Sequence, residues 1–180
     1  MHRRLRLSTT AIAAVVLLSG GAALASAAPA LPAPQAVVPS ETAEGGYTSL
    51  PPARILDTRA AVGIATKTPV GSGQTVSLQV TGRGGVPASG VMAVVLNVTV
   101  VTPTAPSGYL TAYPADQTKP VVSSINWSTK GWIGANLVTV SVATATGKVN
   151  IYNSSGSTHV VADVMGYYRS SASTPATDGS

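Results

Sequence analysis

At 180 residues the chain has room for one domain of ordinary size and no space for a second core. It has no cysteine, which excludes disulfides, thiolate metal sites, cysteine nucleophiles and a lipid-modified cysteine, so stability has to come from packing alone. The formal charge of +5 includes Arg3, Arg4 and Arg6; from Ala28 onward eight basic residues (11 minus 3) face six acids, leaving +2. Those basic residues are scattered singly, unlike the clustered footprint that nucleic acid requires.

The three early arginines precede an apolar run from Ala11 to Leu18 that continues through small residues to Ala25. This is the pattern of a secretory signal peptide, expected over 1–27, with Ala25-Ser26-Ala27 supplying the small residues for cleavage after Ala27. The run is short and rich in Ala and Gly for a membrane span, although a retained anchor is the rival reading. Residues 28–46 read as an extended Ala/Pro linker, since Pro29, Pro32, Pro34 and Pro39 oppose helix and deny ladder hydrogen bonds. A β-rich domain is expected over 47–168, followed by a disordered tail over 169–180 rich in Ser, Thr, Ala and Gly.

Within the domain the hydrophobic period is two. A first strand is expected near 53–57. The segment Thr75–Thr81 alternates cleanly, with Val76, Leu78 and Val80 on one face. Val91–Val101 is apolar on both faces, which predicts a central strand covered on both sides. Strands are further expected at 108–113, at 121–127, at 138–142 through Val138, Val140 and Val142, around Val149 and Ile151, and at 158–168. Gly- and Pro-bearing turns separate them. The pattern predicts an all-β fold: a single jelly-roll or Greek-key-like β-sandwich of about eight strands. A faint internal echo joins Val98-Thr99-Val100 leading to Tyr109–Tyr113 with Val138-Thr139-Val140 leading to Lys148–Tyr152, and suggests two related hairpins.

The strongest chemical signal is Ile55-Leu56-Asp57-Thr58-Arg59, an acid and a base two apart at the end of an apolar strand. Asp163 lies in the otherwise apolar stretch Val160–Met165, where a lone carboxylate is costly. Asp57, Arg59 and Asp163 are therefore expected to form a structural charge network tying the first strand to the last. Calcium is the rival use of these acids, but the domain has only Asp57, Asp116 and Asp163 and no D-x-D-x-D-G loop, so no metal or other cofactor is expected. His159 and Asp163 stand too far apart along one strand for a direct hydrogen bond, no G-x-S-x-G elbow exists, and nothing marks a general acid for a glycosidase pair. The chain is not expected to be an enzyme, a secreted hydrolase being the distant alternative. Gly82-Arg83-Gly84-Gly85 lacks the helix and Lys-Ser/Thr of a phosphate loop and reads as a tight turn. Asn97, Asn126 and Asn153 begin Asn-x-Ser/Thr triplets but read as ordinary strand and turn residues. Trp132, Trp127, Tyr109 and Tyr113 are the candidate ligand-binding residues, because aromatic faces on a sandwich surface stack on sugar rings while buried ones fill core.

Taken together, ILDTR at 55–59, VTGRGGVP at 80–87, AVVLNVT at 93–99, YLTAYP at 109–114, NLVTV at 136–140, GKVNIYN at 147–153 and ADVMGYY at 162–168 resemble a β-sandwich module of actinobacterial secreted and cell-surface proteins. Similar modules occur in phage tail-associated proteins. The resemblance implies an extracellular sandwich with an accessory, binding or structural role and carries over no catalytic residue. The expected function is a secreted, non-enzymatic module that binds cell-wall or extracellular polysaccharide; the alternative is a structural module that engages a surface protein or its own copy. The expected location is extracellular, loosely associated with the wall, with no membrane residence after signal cleavage.

Overall fold

A computed structural model of the chain describes residues 45–170. The expected signal peptide (1–27), nearly all of the linker (28–46) and the tail beyond Ser170 lie outside them. The described residues form β1 (Tyr47–Asp57), β2 (Thr75–Gln79), β3 (Val91–Val101), β4 (Gly108–Pro114), β5 (Ile125–Trp127), β6 (Ile133–Ser141), β7 (Lys148–Asn153) and β8 (His159–Arg169). They build two four-stranded antiparallel sheets, β1-β8-β3-β6 and β2-β7-β4-β5.

The strand order follows from one long ribbon. β1 pairs with β8, β2 with β7, β3 with β6 and β4 with β5, so the chain doubles back at the β4–β5 connection. Rolling the ribbon adds the β3–β8 and β4–β7 ladders and splits it into two layers. This is the jelly-roll form of a β-sandwich. Only the β4–β5 connection stays within one sheet.

Alternation supplies the core between the layers. Leu56, Leu78, Val94, Leu96, Val98, Val100, Leu110, Val149, Ile151, Val160 and Val164 are fully buried, each contributing roughly 1.5–3 kcal/mol of transfer free energy. All are branched aliphatics, as suits a pleated, closely packed surface.

Four boundaries differ from the sequence reading. β1 begins at Tyr47 and passes through Pro51-Pro52, because it is an edge strand whose register shifts between Ser49 and Ala53, where a missing N–H costs nothing. β2 stops at Gln79, short of the expected Thr81. β5 is only Ile125–Trp127: the Val122 carbonyl accepts the Thr111 hydroxyl and Ser124 Oγ accepts the Ala112 N–H, so residues 121–124 hook onto β4 and do not extend the ladder. β6 starts at Ile133, five residues earlier than expected. β3 is central within its sheet, but no second layer covers its outer face; Val95 and Val101 are buried there by their lateral neighbours while Asn97 and Thr99 stay partly exposed.

The internal echo has a different origin from the one expected. Its two halves are β3 followed by β4 and β6 followed by β7, and each half crosses between layers, so neither is a hairpin. Instead they pair with each other, β3 with β6 in one sheet and β4 with β7 in the other. The registers bring Asn97 opposite Leu137 and Ala112 opposite Ile151, positions that correspond when the two segments are aligned.

At one end of the sandwich the connections are tied by Asn153. It is completely buried, and its Nδ2 donates to the carbonyls of Val70 (2.9 Å), Gly156 (3.0 Å) and Gly71 (3.1 Å) while Oδ1 accepts the Ser155 N–H. One amide thereby joins the β1–β2 connection to the β7–β8 turn. The burial also answers the Asn-x-Ser reading at this site, since a glycan has no access to it. Asn153→Ala removes three side-chain hydrogen bonds at roughly 1 kcal/mol each, although Val70 and Gly71 keep the Thr158 and Gln74 N–H donors, and is expected to cost about 3 kcal/mol, read as a lower urea midpoint at unchanged slope.

Candidate functional site

Arg54, Asp57, Arg59 and Asp163 gather on the outer face of the β1-β8-β3-β6 sheet. Asp57 accepts a two-point ion pair from Arg59, with Nε to Oδ1 at 2.9 Å and Nη2 to Oδ2 at 2.8 Å, and also the Arg59 backbone N–H at 2.9 Å. Asp163 is reached from the opposite side by Arg54, whose Nε and Nη2 donate to its two oxygens at 2.9 and 3.2 Å. Arg54 Nη1 lies 3.5 Å from Asp57 Oδ2 and so links the two pairs. Arg54, which the sequence reading missed, is thus the joint: Arg59 and Asp163 share no bond. The cause is register, because Arg54 stands directly opposite Asp163 in the β1–β8 ladder. The signal for it was an arginine three residues before Asp57 in an edge strand.

Asp57 is buried, whereas both arginines are about half exposed. The Arg59 hydrogen bonds hold the Asp57 carboxyl down at about 2, outweighing the burial that pushes it up, with the Arg59 N–H and the arginine charges assisting. Thr58 Oγ1 completes the cluster, accepting the Val160 N–H at 3.0 Å and lying 2.9 Å from His159 Nδ1. His159 therefore has a threonine beside its ring and no carboxylate partner. Asp116, at the far end of the fold, accepts the Thr144 N–H at 3.3 Å. Among the described residues no three His, Asp or Glu side chains converge as a metal group would require.

The four candidate aromatics separate. Trp127 is core: it is buried under Gly108, and its Nε1 donates to the Ala105 carbonyl at 3.3 Å, so it offers no face to a ligand. Trp132 is half-buried and lies across Gly134, where any Cβ would overlap its ring. Tyr113 is buried, and Tyr109 is partly exposed. Tyr109 and Tyr113 alternate with core residues of β4, which puts both on the outer face of the β2-β7-β4-β5 sheet.

That face also carries Tyr152, absent from the sequence candidates. Its ring lies 6.3 Å from the Tyr109 ring at 46°, a tilted pair, with Lys119 Nζ 4.8 Å from the Tyr152 centroid. Register places Thr75 opposite Tyr152, Ser77 and Tyr113 opposite Asn150, and Asn126 opposite Tyr109. The result is an aromatic pair set among hydroxyl and amide groups on one sheet face. The loop from Ala115 to Ser124 borders it, anchored by Thr111 and Lys119.

Two clefts occupy opposite ends of the described fold. One of about 720 Å³ is lined by Gly90, Met92, Asp116, Gln117 and Thr144 among others, and one of about 530 Å³ by Thr58, Ile64, Pro69 and Val76 among others. Neither gathers paired titratable groups. No family model, curated protein or solved structure matches the chain.

The charge cluster makes stability acid-sensitive with a definite sign. Because the folded Asp57 carboxyl sits below its ordinary value near 3.8, its contribution is complete above about pH 4 and is lost as pH falls through about 2. The expected contribution is roughly 1–2 kcal/mol after allowing for solvent screening of the half-exposed arginines. Urea unfolding at pH 7 and pH 2.5 checks this: between the two the native protein should lose about two-thirds of that contribution, which Asp57→Asn does not lose.

Proposed function

We propose that the domain is a non-enzymatic binding module that acts outside the cell and attaches to cell-envelope or extracellular polysaccharide through the outer face of the β2-β7-β4-β5 sheet. The observation that carries this reading is the Tyr109–Tyr152 pair, tilted and 6.3 Å apart, surrounded by Thr75, Ser77, Asn126 and Asn150. Sugar rings present apolar C–H faces and a rim of hydroxyls, so a site for them joins aromatic surface to short polar side chains, as this face does. Lys119 beside the pair suits a glycan carrying phosphate or carboxylate.

The rest of the chemistry supports binding over turnover. Among the described residues Asp57 and Asp163 are each occupied by arginine and Asp116 by a backbone N–H, and the Thr58 hydroxyl beside His159 Nδ1 is fully buried and accepts the Val160 N–H. The export pattern of the first 27 residues and the absence of cysteine fit an extracellular protein of a bacterium with a thick wall.

Retention of the purified protein on isolated actinobacterial cell walls tests the assignment. Tyr109→Ala should weaken binding about tenfold, equivalent to ~1.4 kcal/mol, while Trp132→Ala should leave affinity within about twofold. No retention by the native protein, or a loss confined to Trp132→Ala, would contradict it.

A further inference from the structure

We infer that the edge of β6 left unpaired among the described residues is an interface at which a second copy of this chain pairs antiparallel, extending the β1-β8-β3-β6 sheet across a two-fold axis at Leu137. The inference is independent of the polysaccharide reading, since it concerns the other sheet.

A jelly roll has four edges, and natural sheets blunt exposed edges with short strands, prolines, bulges or charge. Three of the four are treated so here. β1 carries Pro51-Pro52 and a register shift, β2 has five residues, and β5 has three. β6 has nine residues, reads Ile-Gly-Ala-Asn-Leu-Val-Thr-Val-Ser, and contains no proline or charge. Its β3 ladder runs from Ala93–Ser141 to Val101–Ile133 without a register shift.

The hydrogen-bond phase shows which groups are free. At the ends of the ladder the Thr102 N–H donates to the Trp132 carbonyl at 3.0 Å and the Val142 N–H to the Met92 carbonyl at 2.9 Å. In an antiparallel pair the bonded residues then alternate, so Gly134, Asn136, Val138 and Val140 face β3. The N–H and C=O groups of Ile133, Ala135, Leu137, Thr139 and Ser141 point away from the sheet. The same residues carry the outward side chains, of which Ile133 is 62% and Leu137 60% exposed. Beside this edge the Asn136 Nδ2 donates to the Ser124 carbonyl. Ile133 and Leu137 are two of the seven large exposed apolar residues among those described.

A second copy fits the edge better than a foreign segment for two reasons. From Val121 to Ser141 the only charged residue is Lys130, so two copies meet without opposed like charges across the strands. Antiparallel pairing about Leu137 sets Leu137 against Leu137 of the second copy, Ala135 against Thr139 and Ile133 against Ser141, small against large and apolar against apolar at the centre.

Sedimentation equilibrium of the purified protein up to about 1 mM tests this, with a dissociation constant expected on the order of tens of micromolar for so small an interface. Leu137→Lys places like charges at the axis, and Ala135→Pro removes an N–H that the β3 ladder does not use. Both should be monomeric at every concentration and melt within a few degrees of the native protein, while Val62→Lys, at the opposite edge of the same sheet, should still dimerise. A native protein that stays monomeric to 1 mM, or a dimer that persists in both edge variants, would overturn the inference.

Discussion

The antiparallel pairing of β3 with β6 is the contact on which the rest of the arrangement depends. It joins the two halves of the ribbon in their middle, and the β4–β7 ladder beneath it does the same in the second layer. Because side chains alternate, this one register decides which residues enter the core and which line the outer faces; a slip by one residue would exchange them all. Across the first sheet it aligns Leu137, Asn97, Asp163 and Arg54 in one row, running from an uncharged edge to a charged one. The same sheet therefore has one edge secured by ion pairs and prolines and another left open.

Without disulfides or phenylalanine, the domain relies on interdigitated Val, Leu and Ile and on a few buried polar groups that are fully partnered. No buried side-chain donor or acceptor among the described residues lacks a partner. Asn153 and the Asp57 cluster serve the same end in different ways. The neutral amide ties connections together at one end, while Arg54, paired with Asp163 and bordering Asp57, fastens the first strand to the last. A carboxylate of this kind costs desolvation and is tolerable only because arginine supplies both its oxygens with donors. Both groups are engaged in holding the fold, which leaves the second sheet's outer face as a surface with unassigned aromatic and polar groups.

Much of the fold was legible because period-two alternation is a local signal. All eight strands and the sandwich class followed from it, and the edges of the reading failed where nonlocal contacts decide. Residues 121–124 look like strand but bond to β4 through Thr111 and Ser124 side chains. The echo was visible in sequence, whereas its meaning as two pairing arches required the layer to which each strand belongs. The site was less legible. Asp57 and Arg59 announce themselves by spacing, but Arg54 enters only through its position opposite Asp163. Tryptophans drew attention by type, yet Trp127 fills the core, and a partly exposed pair is made by Tyr109 and Tyr152, which are 43 residues apart (152 minus 109) and meet only through the β4–β7 ladder.

The most direct measurement on the central claim, that the outer face of the β2-β7-β4-β5 sheet binds polysaccharide, is an amide chemical-shift titration of the protein with soluble fragments of cell-wall glycan. The account predicts saturable shifts confined to Tyr109, Asn126, Asn150, Tyr152 and their neighbours, with β6 and the Asp57 cluster unmoved. Shifts centred on Ile133–Ser141 or on Trp132, or none at saturating glycan, would contradict it.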